Sequence, residues 1–190
     1  DLSSPDLTED DVYELRREVG MVFQTPDNQL VATIVEEDVA FGPENLGLPP
    51  AQIVERVEQA LRAVGMWEYK DHSPHKLSGG QKQRLAIARA IAKNPKLYVF
   101  DDSFSALDMK TDAALRKALD EVTSDSTVII VAQRISTILH ADQIIVLDDG
   151  RIVGKGTHEE LLRNCETYEQ IARSQMSAKE LGLTDGKEEA

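Results

Sequence analysis

The sequence predicts an α/β protein: a parallel sheet interrupted by a helical insert. Three observations carry that prediction. "LYVF", "TVIIV" and "QIIVL" are continuous apolar runs of strand length, the texture of strands buried on both faces. "KTDAALRKALDEV" lies between the first two, with Leu115, Leu119 and Val122 at helical spacing, and strand–helix–strand alternation indicates a parallel sheet. Residues from about Thr25 to Asn94 carry helical periodicity instead. The chain of 190 residues is long enough for one domain with a real core, or a core and a small satellite.

Taken in order, the first dozen residues are acidic and read as a solvated loop, including the run Asp6 to Glu14. "VGMVF" (Val19 to Phe23) is a short strand, broken by the turn chemistry of "TPDNQ". "TIVEEDVAFG" reads as a short helix. Pro49 and Pro50 open a second, whose apolar face is Ile53, Val54, Val57, Leu61 and Val64 and whose stop is Gly65. Trp67 and Tyr69 are expected to anchor this insert. A third helix begins near Ser78, continues through Leu85, Ile87, Ala88, Ile91 and Ala92, and stops at Asn94-Pro95. After the three apolar runs, "RIVGKG" reads as a hairpin or edge strand. Thr157 starts a helix with Glu160 completing a capping box, and Cys165 is expected in a helix. The segment 177–190 is expected to be a frayed tail.

Composition narrows the function classes. A net charge of −13 argues against nucleic acid, because phosphate backbones demand a concentrated basic surface. Cys165 is the only cysteine, which excludes internal disulfides and cysteine-rich metal sites. His72 and His75 have no ligand cluster beside them and read as loop residues. No apolar run approaches the ~20 residues of a membrane span. The chain begins without Met or a signal peptide, which suggests a piece of something longer, or a processed or engineered product.

Two stretches carry chemistry. In "HKLSGGQKQRLAIARA", Ser78, Gly79 and Gly80 open a helix, where small residues and the dipole's positive end suit a phosphate. "LYVFDD" ends a strand in two carboxylates, Asp101 and Asp102, placed to hold Mg²⁺ beside a phosphate. Yet no G-x-x-x-x-G-K-[ST] loop occurs in these 190 residues. The look-alike "GRIVGKGT" (Gly150 to Thr157) is one residue short, has Gly156 at the hydroxyl position and follows the wrong strand, so a hairpin is the better reading.

The ordered set "LSGGQ", "VFDD", "SALD" and "VAQRIS", with Gln24 ending the first strand, resembles the nucleotide-binding domains of ABC transporters over about Val12 to Gln175. "REVGMVFQTPDNQLVATIVEEDVAFGPENLGLP" looks like the ATPases of energy-coupling-factor importers. "FDDSFSALDMKTDAALRKALDEV" and its continuation look like the degenerate nucleotide-binding domain of a heterodimeric exporter. The seam falls between about His75 and Asp101. The resemblance implies an incomplete RecA-like parallel-sheet core at 1–24 and 95–176, with an α-helical subdomain at 25–94 that ends in the signature helix. It implies an ATPase of a solute transporter that uses ATP and Mg²⁺, pairs with a second nucleotide-binding domain, and sits on the cytoplasmic face of the membrane through a transmembrane subunit.

By the same resemblance, Gln24 and Asp101 hold Mg²⁺, and Asp102, Gln133 and Gln24 form the catalytic set. Ser105, Ala106, Leu107 and Asp108 form the D-loop. Ser78, Gly79, Gly80 and Gln81 close over ATP held by the partner domain, which gives the helix start its phosphate. Asp102 stands where the family usually has Glu, about 1.5 Å shorter in reach, and misplacement of about 1 Å can cost on the order of 10²-fold in rate. Gln133 replaces the switch His and cannot relay a proton as imidazole does. This stretch alone is therefore expected to hydrolyse little ATP. The alternative is a non-catalytic module that completes a partner's ATP site. A DNA-maintenance ATPase is disfavoured by the acidic charge, by the absence of zinc cysteines and by an insert too short for a long coiled coil. A last expectation is that the strand Val128 to Val131 presents an unpaired apolar edge. The transported solute and the direction of transport are not legible.

Overall fold

The computed structural model describes residues 8–105 and 107–176, which fall into two compact units divided after Val131. In the first unit, β1 (Val19–Val22), β2 (Leu97–Asp101) and β3 (Thr127–Val131) form a parallel sheet in the order β1-β2-β3. Val19 lies opposite Leu97, and Asp101 lies opposite Val131. β2 is therefore central and sends Tyr98 and Phe100 into the core, where their rings stack 6.0 Å apart. The predicted parallel sheet is present, but Ile144 to Leu147 does not join it. β3 also departs from the expectation of burial on both faces. Val128, Ile129 and Val131 are exposed, because β3 pairs with β2 on one side only among the described residues.

The expected acidic loop lies outside the described residues over 1–7, and from Glu9 it is a helix: α1 (Glu9–Glu18) is capped by Thr8, whose side chain accepts from the Asp11 N–H while Asp11 reaches back to the Thr8 N–H. It is nonetheless solvated, with no buried residue. The turn "TPDNQ" winds into a 3₁₀ turn over Pro26–Gln29. Helices α2 (Val35–Asn45), α3 (Pro50–Ala63) and α4 (Gly79–Lys93) then pack on one another. Helix α3 starts on Pro50, whose missing N–H costs nothing there. It ends in a Schellman motif: Met66 N–H donates to the Leu61 carbonyl at 2.8 Å and Gly65 N–H to Arg62 at 3.0 Å, with Gly65 at φ +64°. Its buried stripe is Val57, Ala60, Leu61 and, just past the end, Val64. Val54 was expected on that face but lies 61% exposed, one residue and ~100° round from Ile53. Trp67 and Tyr69 pack against the core, as expected of anchors.

Helix α5 (Met109–Val122) joins β2 to β3 and buries Leu115 and Leu119, while Val122 is its last residue and lies exposed against expectation. The second unit contains α6 (Ile135–Ile138), the antiparallel pair β4 (Ile144–Asp148) and β5 (Arg151–Gly156), α7 (His158–Asn164) and α8 (Glu166–Gln175). Asp149 and Gly150, both at positive φ, close the hairpin. The "GRIVGKGT" stretch is thus a strand and a helix cap rather than a phosphate loop. A Cβ on Gly154 would stand 2.7 Å from Cys165 Sγ, so this glycine is where the strand meets the α7–α8 corner. Cys165 is buried in an extended link between those helices, not within one, because it must serve as the end of α7 and the start of α8. No helix among the described residues is long and apolar enough to cross a membrane. The expected frayed tail, 177–190, lies outside the described residues.

Candidate functional site

Two strand ends make the centre of the site. Beyond β1, the chain passes through Phe23 into a bend at Gln24. It is held there by the side-chain amide of Gln29, which accepts from the Phe23 N–H at 3.0 Å and donates to the Met21 carbonyl at 3.0 Å. Gln29 thus imitates a neighbouring strand. Beyond β2, Asp101 ends the ladder and Asp102 turns into the left-handed region at φ +45°. The Asp102 N–H still donates to the Val131 carbonyl at 2.9 Å, and its own carbonyl accepts from Ser105 Oγ at 2.9 Å. Ser103 is fully buried and donates from Oγ to the Val22 carbonyl at 2.9 Å, which ties the end of β1 to the turn after β2. Across this junction Gln24 Nε2 donates to Asp102 Oδ2 at 3.0 Å. Two predicted site residues 78 positions apart are in direct contact.

The donor set at these strand ends is all oxygen: the Gln24 amide oxygen and the carboxylates of Asp101 and Asp102. Hard oxygen ligands, one or two of them carboxylates, suit Mg²⁺ completed by phosphate and water. No group of three or more His, Cys, Asp or Glu that could hold a metal occurs among the described residues. His72 and His75 are exposed in the segment before α4.

Ser78 caps α4. Its hydroxyl accepts from the Gln81 N–H at 3.3 Å, and Gln81 Oε1 accepts from the Ser78 N–H at 2.8 Å. This capping box was written in the S-x-x-Q spacing. It engages each of these side chains with the other residue's backbone N–H and leaves the Gly79 and Gly80 amides without an acceptor inside the helix. Gly79 faces open space. The start of α4 therefore places the exposed Gly79 and the half-buried Gly80 at the positive end of a 15-residue helix, an arrangement suited to an anion.

Downstream, Leu107 is buried and Asp108 caps α5. The Thr111 hydroxyl, at 2.6 Å, and the Thr111 N–H hold the Asp108 carboxyl below the usual carboxylate range. Ala106 lies outside the described residues. Gln133 belongs to the second unit, where its carbonyl accepts from Gln175 Nε2 at 2.8 Å.

Sequence reasoning missed four residues here: Gln29, Lys82, Gln83 and Ser103. Lys82 Nζ lies 2.5 Å from Asp27 Oδ1, and Gln83 Nε2 donates to the Phe23 carbonyl at 3.4 Å. Only Gln83 left a signal: a polar residue in register with Ile87 and Ala90 on the apolar face of α4.

Strand-end carboxylates, a glutamine reaching them and a glycine-rich helix start match a known design. The ABC transporter family model matches residues 1–105, and the chain belongs to that family. Within it, the chain is 48% identical over 162 residues to the energy-coupling factor transporter ATP-binding protein EcfA1 of Caldanaerobacter subterraneus subsp. tengcongensis, covering 84% of this chain and 58% of that protein. It is 46% identical over 181 residues to EcfA1 of Clostridium perfringens, covering 94% and 64% respectively. Among solved structures, cbiO1 of Clostridium perfringens, part of the ABC transporter complex cbiONQ, superposes with a TM-score of 0.74 at 34% identity over 88% of this chain and 68% of that one. A bacterial Atm1-family ABC exporter with ATP bound gives 0.75 at 32% identity, over 87% and 30%. Energy-coupling factor proteins and an ABC exporter are thus both among its matches. The chain spans about three fifths of the length of these EcfA1 relatives.

Proposed function

We propose that this chain is ATP-binding machinery of an ABC transporter, working in a dimer with a second nucleotide-binding domain and coupling ATP hydrolysis to solute movement. The observation that carries the reading is the Gln24–Asp102 contact at the ends of β1 and β2. Gln24 and Asp101 would hold Mg²⁺, which when bound supplies charge stabilisation to the phosphates. Asp102 accepts the proton of the attacking water or orients it, and Gln24 fixes the Asp102 carboxylate by donating to one of its oxygens. Gln133 supplies a neutral hydrogen bond where the family has imidazole. Ser105 to Asp108 form the D-loop. The Gly79 and Gly80 amides, at the end of α4 capped by Ser78 and Gln81, face the phosphate of ATP bound by the second domain. A transmembrane subunit would keep the assembly at the cytoplasmic membrane face. The chain's expected parts are an ATPase core at 1–24 and 95–176 and a helical subdomain at 25–94.

The test is Ser78→Arg in a dimer with a nucleotide-binding domain that has an intact phosphate loop. A bulky cation at the helix start should abolish turnover. Unchanged turnover would show that α4 does not face nucleotide. A second reading, a non-catalytic module completing the partner's site, is favoured by Asp102 in place of Glu and Gln133 in place of His. It requires Asp102→Ala to leave turnover of the same dimer intact while Ser78→Arg removes it.

A further inference from the structure

We propose that Gln83, with its neighbour Lys82, is a positioning residue through which helix α4 sets Gln24 against Asp102. Gln83 is 1% exposed, in a stripe that is otherwise apolar. Its Nε2 donates to the Phe23 carbonyl at 3.4 Å, while its buried Oε1 has no partner among the described residues. Leaving a buried acceptor unmet is unfavourable, and Met would fill the same space without that penalty, so packing alone does not account for a glutamine here. Lys82, the preceding residue, has a side chain only 17% exposed and holds Asp27 at 2.5 Å. One turn of α4 thus grips the chain on both sides of Gln24, at Phe23 and at Asp27. From the other direction Gln29 fixes the Phe23 N–H. Gln24 has little freedom left, and its amide falls on Asp102.

The 3.4 Å bond lies at the long end of the hydrogen-bond range. A tilt of α4 toward β1 tightens it, and a tilt away breaks it. The same helix begins at Ser78, so an event at the helix start reaches Gln24 through a rigid element and one side chain. The inference takes from the proposed function only that Gln24 and Asp102 belong to the site.

The test reads the side-chain amide of Gln24 by ¹H–¹⁵N spectroscopy of the full chain, assigned by comparison with Gln24→Ala. In Gln83→Met the Gln24 amide should lose its carboxylate-bonded shift, while the resonances of Tyr98 and Phe100 stay in place. Asp27→Ala, at a carboxylate whose side chain is 57% exposed, should move the same resonance part of the way. A purely structural Gln83 would lower the melting temperature and leave the Gln24 resonance where it is, which would overturn the proposal. Should Gln83→Met fail to fold, an unmoved resonance in Asp27→Ala overturns it equally. A lost shift in a chain whose parent dimer shows no ATP turnover upholds the link and counts against the proposed function instead.

Discussion

Tyr98 lies wholly buried in the central strand, and its hydroxyl has no hydrogen-bond partner among the described residues. An unmet buried hydroxyl costs about 1–3 kcal/mol, so Tyr98→Phe should stabilise the fold by about 1 kcal/mol in urea denaturation. Burial also pushes the phenol up to about 12, with the nearby Arg56 charge opposing. The folded state therefore holds this proton more tightly than the unfolded chain. The corresponding stability is complete below a pH of about 10 and is lost as pH rises through about 12. Tyr98→Phe should remove that part of the alkaline loss. Asp102 makes a different demand, because its φ of +45° suits Asp, Asn or Gly but not a branched side chain. Asp102→Val should destabilise by about 1–2 kcal/mol more than Asp102→Asn. Equal melting of the two variants would mean that the turn relaxes. This contact was legible only by resemblance: nothing in the spacing of Gln24 and Asp102 says that two strand ends 78 residues apart meet.

Helix ends were the most legible elements, because capping is local chemistry. Ser78, Asn94, Gly65 and Thr157 all stand where their side chains or φ values require. Helix α1 escaped notice although Thr8 and Asp11 spell a capping box, since its acidic residues leave no apolar face to count. Strand partners were less legible. An apolar run reveals burial, not its neighbour, and so Ile144 to Leu147 looked like another parallel strand before pairing with β5. The caps also predict acid behaviour. Thr8, Thr111 and Thr157 hold the carboxyls of Asp11, Asp108 and Glu160 below their ordinary range. Their contribution is present above the ordinary carboxylate range and lost as pH falls through the depressed values. Amide exchange in the first turns of α1, α5 and α7, corrected for intrinsic rate, should accelerate there, and Thr111→Ala should return Asp108 to an ordinary carboxyl titration by NMR. Strand β3 carries a further prediction. With Ile129 48% exposed on a strand paired along one side among the described residues, self-association is expected. Ile129→Lys should reduce it in sedimentation at little cost in melting temperature.

For the molecule as a whole, a net charge of −13 on 190 residues repels itself. Raising ionic strength from about 10 mM to about 150 mM shortens the screening length from about 30 Å to about 8 Å. The melting temperature should therefore rise with salt, and a fall would show that attractive ion pairs outweigh the repulsion. The order β1-β2-β3 has a consequence in time as well. Parallel neighbours cannot zip up from a hairpin, and β1 must wait through the whole of α2, α3 and α4 before β2 exists to receive it. On a ribosome making about 5–20 residues per second, that is several seconds. During that wait the three helices can collapse on one another while β1 carries a bare apolar margin. A chaperone that shields short extended segments would find its client in this interval, before the last strand is made.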